Sequence, residues 1–236
     1  MKRTFLLISI FFIKGCLVAQ EYKPVTVRAG TNIREYFTVT QRYLYPDFTQ
    51  GNVLFKNRMT NSCIFNYNVL TNEMEFIRSK DTLIFISKKE IDLIAVARDT
   101  FYYHDGYQQL IHSGPLRVFL RRSMFIKNIL KQGAMSTINR SAASEVYDFV
   151  ITGQSTINLK PVDDIVLQRK DEYFFSTPGN EYIPFTRKNI LRALPVQEND
   201  IRNFLKSNKI DFESRNDLVR LADLLCTLLS RNHDKK

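Results

Sequence analysis

The stretch Phe65–Ile77, FNYNVLTNEMEFI, sets two asparagines around a tyrosine and then two glutamates around a methionine. That density of polar groups fits an active site, and it fits equally well the two arms of a β-hairpin. Alternation decides between them, because successive side chains of a strand point to opposite faces. With a two-residue turn at Thr71-Asn72, Leu70 faces Glu73, Val69 faces Met74, Asn68 faces Glu75, Tyr67 faces Phe76 and Asn66 faces Ile77. Phe65, Tyr67, Val69, Met74 and Phe76 then share an apolar face. Asn66, Asn68, Glu73 and Glu75 share the other, with Leu70 and Ile77 as exceptions, and Asn68 can bond Glu75 across the strands. The expectation is a hairpin with a solvated polar side, in which Glu75→Ala costs little and Tyr67→Ala, if fully buried, about 3 to 5 kcal/mol.

The same signature continues on both sides. GNVLFKN, SCIFNYNVL, EMEFIRS, DTLIFISK, DLIAVARDTFYYH and YQQLIHS are short, rich in β-branched and aromatic residues and separated by polar turns, so 51–131 reads as successive strands. Asp105-Gly106 marks a two-residue hairpin loop, since both residues tolerate positive φ. PLRVFLRR, 115–122, alternates Leu116, Val118 and Leu120 with Arg117, Phe119 and Arg121, a strand with one face outward. Residues 133–160, rich in Ser, Thr, Asn and Ala without a sustained period, read as a linker or long loop. IVLQRKDEYFF and EYIPF form a further hairpin turned by Pro178-Gly179-Asn180. Leu194, Ile201, Phe204 and Leu205 give one helix its apolar face, and Leu218, Leu221, Ala222, Leu225 and Leu229 recur at helical spacing in the last. Ser214 and Asp217 resemble a capping box at its start. The fold class is α+β: an antiparallel β-meander over 20–132, its closure towards a half-barrel left open, the 133–160 linker, then a short hairpin and C-terminal helices over 161–236.

The chain is poor in recognisable chemistry. Its eight glycines are scattered singly, without a phosphate cradle, nucleotide fingerprint or nucleophile elbow. His104, His112 and His233 have no further His, Cys or carboxylate at ligand spacing, and read as surface imidazoles rather than a zinc pair. Ser113 beside His112, or Cys63 with either strand histidine, carries no local triad signature. Glu73 and Glu75 stand two apart on one strand and point the same way, whereas glycosidase carboxylates face each other across a cleft; Asp163-Asp164 is the other carboxylate pair. Catalytic residues, cofactor and metal ligands are therefore expected to be none, and the chain is read as non-enzymatic.

The first residues, MKRTFLLISIFFIKGCLVAQ, place Lys2 and Arg3 before an apolar run, Phe5–Ile13, and a small residue, Ala19, before Gln20. That pattern reads as a signal peptide over 1–19, cleaved between Ala19 and Gln20. The run is shorter than the roughly 20 apolar residues a spanning helix needs, and Lys14 ends it. Cys16 after Gly15 is the rival, a lipoprotein cysteine, which Lys14 just before the glycine fits poorly. No other segment reaches spanning length, so a soluble envelope or extracellular protein is expected. Loss of 1–19 removes Lys2, Arg3 and Lys14 and takes the formal charge from +10 to +7, which favours acidic partners: anionic lipid headgroups, acidic protein faces or polyanions. Cys63 and Cys226 are too few for a disulfide framework and read as buried thiols. Arg117, Phe119 and Arg121, continuing to Arg122, Lys127 and Lys131, form the candidate interaction face, suited to anionic lipid or glycan; export argues against nucleic acid.

YPDFTQGNVLFKN, NYNVLTNEMEFI, DTLIFISKKEIDLIAVARDTFYY, EYIPFTRKNILRAL and FLKSNKIDFESRNDLVRLADLL together resemble a family of small exported proteins of Bacteroidetes, over most of 45–225 and least across the linker. The family is similar in architecture to the plug subunit on the periplasmic side of the type IX secretion translocon. The resemblance implies an envelope location, periplasmic and peripheral to the outer membrane, and a protein-binding role, with an outer-membrane protein complex as partner and a translocon pore as its candidate seat. The matching motifs hold no catalytic residue to carry over. The alternative is an envelope protein that binds anionic lipid or glycan through the basic, aromatic strand face.

Overall fold

Twelve strands in one antiparallel sheet organise the computed structural model, which describes residues 23–132, 138–142, 160–177 and 180–233. The stretch expected to be a signal peptide, with Cys16, Ala19 and Gln20, most of 133–160, and Pro178-Gly179 lie outside the described residues. The strands are β1 (Val25–Val27), β2 (Thr49–Phe55), β3 (Thr60–Asn68), β4 (Glu73–Arg78), β5 (Asp81–Ile84), β6 (Ile91–Val96), β7 (Asp99–Tyr103), β8 (Tyr107–His112), β9 (Arg117–Gln132), β10 (Ile138–Ala142), β11 (Asp164–Thr177) and β12 (Asn180–Pro184). Their order is β1-β11-β9-β8-β7-β6-β2-β3-β4-β5, with β10 also paired to β9 and β12 to β11. Short helices α1 (Ile33–Tyr36) and α2 (Val39–Arg42) precede β2, and α3 (Arg187–Ala193), α4 (Glu198–Ser207) and α5 (Arg215–His233) end the chain. The meander followed by helices is the α+β architecture expected, and the sheet is open: among the described residues no ladder joins β5 to β1.

Several boundaries differ from the expectation. The run 92–104 is two strands, β6 and β7, turned at Ala97-Arg98 with Ala97 at φ 54°. β9 continues past Arg122 to Gln132, because β11 pairs with it from Arg117 to Leu130 and supplies the hydrogen bonds that a lone arm lacks. Residues 138–142, within the stretch read as a linker, form β10 against 128–132. At Asp105-Gly106 both residues do take positive φ, 48° and 107°, but Tyr103 faces Tyr107, so the loop is three residues long. Ser214 Oγ accepts from the Asp217 amide at 3.4 Å, while the Asp217 carboxylate accepts from the Asp211 amide rather than closing the box on Ser214.

The hairpin of Phe65–Ile77 is the most instructive case. Its pairs are Asn68 with Glu73, Tyr67 with Met74, Asn66 with Glu75 and Phe65 with Phe76, two residues out from the expected register. A two-residue turn of this hairpin type needs positive φ at Thr71, which a β-branched residue resists; only Asn72 takes it, at 54°. The chain instead makes a four-residue loop, Val69–Asn72, held by Asn68 Oδ1, which accepts from the Leu70 and Thr71 amides at 3.0 and 3.3 Å. An even shift leaves every side chain on its expected face. The expected solvation of the polar face is wrong: Asn66 and Asn68 are buried, and Glu73 and Glu75 are only 3% and 5% exposed.

Three apolar clusters hold the sheet. Val53, Phe65, Tyr67, Met74, Ile94, Phe101 and Tyr107 fill the inside of the curl that β2–β8 make. Leu116, Val118, Leu120, Tyr173 and Phe175 meet α3–α5 through Ile190, Ile201, Leu218, Leu221 and Leu225, which accounts for the helical spacing of the last segment. Val27, Ile33, Phe37, Ile126, Ile165 and Leu167 cover the far end of β9 and β11, and Leu70 of the hairpin loop inserts among them. The loop also joins the curl to β9. The Met124 amide donates to the Val69 carbonyl at 3.1 Å, and the Tyr67 hydroxyl lies 2.5 Å from the Arg122 carbonyl and 2.8 Å from Asn72 Oδ1.

Candidate interaction surfaces

Arg117, Phe119 and Arg121 share one face of β9, as alternation requires, but they do not form a free cationic surface. Phe119 is fully buried, a correction to its expected outward placement. Tyr182 from β12 and Tyr102 from β7 cover it, with ring centroids 4.4 and 5.6 Å away. Arg121 sits across from Glu172, to which it donates twice, from Nε at 3.1 Å and Nη2 at 2.9 Å. Burial works against the Glu172 charge, yet Lys170 and Arg121 outweigh it and hold the carboxyl below its usual range. Arg122 points to the other face and pairs with Asp171 at 3.4 Å. Arg117 stays exposed, its guanidinium 5.8 Å from the Tyr102 ring centre and 5.6 Å from that of Phe119; Lys127, further along β9, is exposed too, and the side chain of Lys131 lies outside the described residues. Sequence reasoning missed Tyr102, Tyr182 and Glu172, whose signal was the acidic pair Asp171-Glu172 in a strand long enough to run beside Arg121-Arg122.

The polar groups of the opening hairpin form a buried network rather than a reaction centre. The segment from Arg42 to Tyr45 runs alongside β3: Val69 donates to the Arg42 carbonyl at 2.7 Å and Leu44 to that of Tyr67 at 3.0 Å. Asn66 exchanges two hydrogen bonds with the Tyr45 backbone, of 3.1 and 2.9 Å. Glu75 accepts from Asn68 Nδ2 at 2.8 Å, the cross-strand bond expected, and from the Tyr43 hydroxyl at 2.5 Å. Burial and the Glu75 carboxylate push the Tyr43 phenol well above its ordinary range. Glu73 pairs with Lys88, yet burial outweighs that partner and raises its carboxyl.

The remaining candidates are held by local partners. His104 stacks on Tyr182, centroids 4.5 Å apart. His112 spends both nitrogens, Nδ1 on the Leu116 carbonyl at 3.2 Å and Nε2 on Asp223 at 3.0 Å. The Cys226 thiol also donates to the Leu116 carbonyl, at 3.5 Å, and burial pushes its pKa up, the opposite of an activated nucleophile. Cys63 and Cys226 are free and half-buried rather than fully enclosed. Among the described residues no cluster of three or more His, Cys, Asp or Glu can hold a metal ion, and no helix is long and apolar enough to cross a membrane. The side chain of His233 lies outside the described residues.

The edge strands β1 and β5 differ in cover, and among the described residues β10 and β12 also pair on one side only. At β1 the Tyr36 hydroxyl of α1 donates to the Thr26 carbonyl at 3.3 Å. At β5 no described segment pairs with the outer side. Ser79-Lys80 turns β4 into β5, with Ser79 at φ 59° and Arg78 facing Asp81. In a two-residue hairpin that closing pair is hydrogen-bonded and the pairs alternate from there, so the amides and carbonyls of Thr82 and Ile84 face away from β4. Leu83 is 38% exposed, and Ile86, just beyond the strand, 96%. Between them Phe85 packs on Phe76 and Phe65, centroids 4.7 and 6.2 Å apart, and separates two open grooves of about 540 and 670 Å³. No family model matches the chain, and neither a curated protein nor a solved structure matches it.

Proposed function

We propose that the protein is a non-enzymatic binding module of the cell envelope, which docks on an outer-membrane protein complex by accepting an extended partner segment along β5. The single observation that carries this reading is the outer edge at Thr82 and Ile84, unpaired among the described residues and next to the exposed Leu83 and Ile86. An added strand gains backbone hydrogen bonds along the edge and side-chain specificity from the alternate positions. The leader-like first residues and the resemblance to the type IX translocon plug favour an envelope partner of that kind. The rival reading, anionic lipid or glycan on the Arg117 face, loses Arg121 to Glu172 and Arg122 to Asp171.

The test uses Thr82→Pro. This substitution removes an outward amide and leaves the β4–β5 hydrogen bonds in place, because proline is tolerated where the N–H faces away from the ladder. Tagged wild-type protein is expected to retain an outer-membrane protein complex from detergent-solubilised envelopes, identified by mass spectrometry, and folded Thr82→Pro to lose it. Equal retention by both proteins contradicts docking through β5.

A further inference from the structure

We propose that the tips of two neighbouring hairpins, β2–β3 and β4–β5, form a contact site for an anionic phospholipid surface, separate from the β5 edge and from the Arg117 face. The turn after β2 presents Lys56, Arg58 and Met59, all exposed, with Met59 at 60%. The turn after β4 presents Arg78 and Lys80, also exposed. Ile64 faces Ile77 in the β3–β4 ladder, and carrying that register on sets Cys63 beside Arg78, so both turns project from the same end of the sheet. The acids at this end are Asp81, across from Arg78, Glu90, whose carbonyl accepts from the Lys56 amide, and Asp92, next to the Ile91 that faces Phe55; Lys89 adjoins Glu90. None of Lys56, Arg58, Arg78, Lys80 or Lys89 enters an ion pair among the described residues, which leaves a cationic excess free at the tips.

Free cations around exposed apolar side chains are what a headgroup layer accommodates. Lysine and arginine stems lie along the interface with their charges among the phosphates, while an unbranched thioether such as Met59 enters the acyl boundary. An acidic protein partner shares the charge but fits the shape less well, since Met59 protrudes on its turn, outside the open groove that Ile64 and Arg78 line. Beside Arg117 the excess is smaller, because Glu172 and Asp105 pair with its neighbour Arg121.

Full-length protein is mixed with vesicles of phosphatidylcholine alone or of equimolar phosphatidylcholine and phosphatidylglycerol, and the bound fraction is read by sedimentation across a salt series. Binding is expected to the anionic vesicles, weakening as salt rises. The double variant Arg58→Asn, Arg78→Gln keeps a residue suited to the left-handed φ of 69° at position 58 and is expected to bind about thirtyfold more weakly, from about 1 kcal/mol per cation at the surface. Arg117→Gln, on the other face, is expected to bind as wild type. Equal binding to neutral vesicles, no binding to either, or a loss caused by Arg117→Gln and not by the tip variant overturns the proposal. Binding of soluble poly-glutamate as tightly as vesicles, through the same two arginines, assigns the tips to an acidic polypeptide and likewise overturns it.

Discussion

Replacing Glu75 with alanine tests the buried network where sequence and structure disagree most. On a solvated strand face the change costs little, within about 0.5 kcal/mol of wild type as for ordinary surface positions. In the structure Glu75 is 5% exposed and accepts from Asn68 Nδ2 and the Tyr43 hydroxyl. Its removal leaves two donors without a partner under a covered face, at about 1 to 3 kcal/mol each, hence about 2 to 6 kcal/mol in all. That is a large fraction of the roughly 5 to 15 kcal/mol by which a domain is stable. The assay is equilibrium unfolding in urea followed by circular dichroism, in which the midpoint is expected to fall while the slope stays constant. Glu75→Gln retains one acceptor oxygen and is expected to lose less. Tyr43→Phe combined with Glu75→Ala is expected to cost less than the two single changes added, because both remove the same bond. A Glu75→Ala midpoint at the wild-type value refutes the buried network.

Tyr67→Phe removes the hydroxyl that reaches Asn72 and the Arg122 carbonyl and is expected to cost about 1 to 3 kcal/mol, read in the same unfolding assay; no change refutes its role as a tie between the curl and β9. Glu73 supplies a pH prediction. Burial raises its folded pKa above the ordinary 4.5, so the folded state binds a proton more tightly than the unfolded one. The contribution is fully present below about 4.5, declines as pH rises through the folded value, and makes ionised Glu73 a cost at neutral pH. The stability of wild type relative to Glu73→Gln is expected to improve from pH 8 to pH 5, and a constant difference, or one moving the other way, contradicts the assignment.

What the sequence made legible is what depends on neighbours along the chain. Leu116, Val118 and Leu120 announced one face of β9 through period two, and Asp105-Gly106 announced its turn because both residues accept positive φ. The burial of Asn66 and Glu75 was not legible, because the cover comes from Arg42–Tyr45, remote in sequence and without a strand signature long enough to notice. The same reason hid the length of β9, set by the separate strand β11, and the burial of Phe119 beneath Tyr182 of β12. The open edge was half legible. Leu83-Ile84-Phe85-Ile86 is too continuously apolar for a strand with a wet face, yet nothing local says that β5 ends the sheet, since the order follows from β6 pairing with β2 rather than with β5.

The proposed docking mode is tested most directly by amide hydrogen exchange across β5, in the isolated protein and in the complex that it retains from solubilised outer membranes. The Asp81 and Leu83 amides face β4 and are expected to exchange alike in both states, whereas those of Thr82 and Ile84 face outward and are expected to slow on binding. Protection confined to other surfaces, with Thr82 and Ile84 exchanging at their free rate in the complex, contradicts the account.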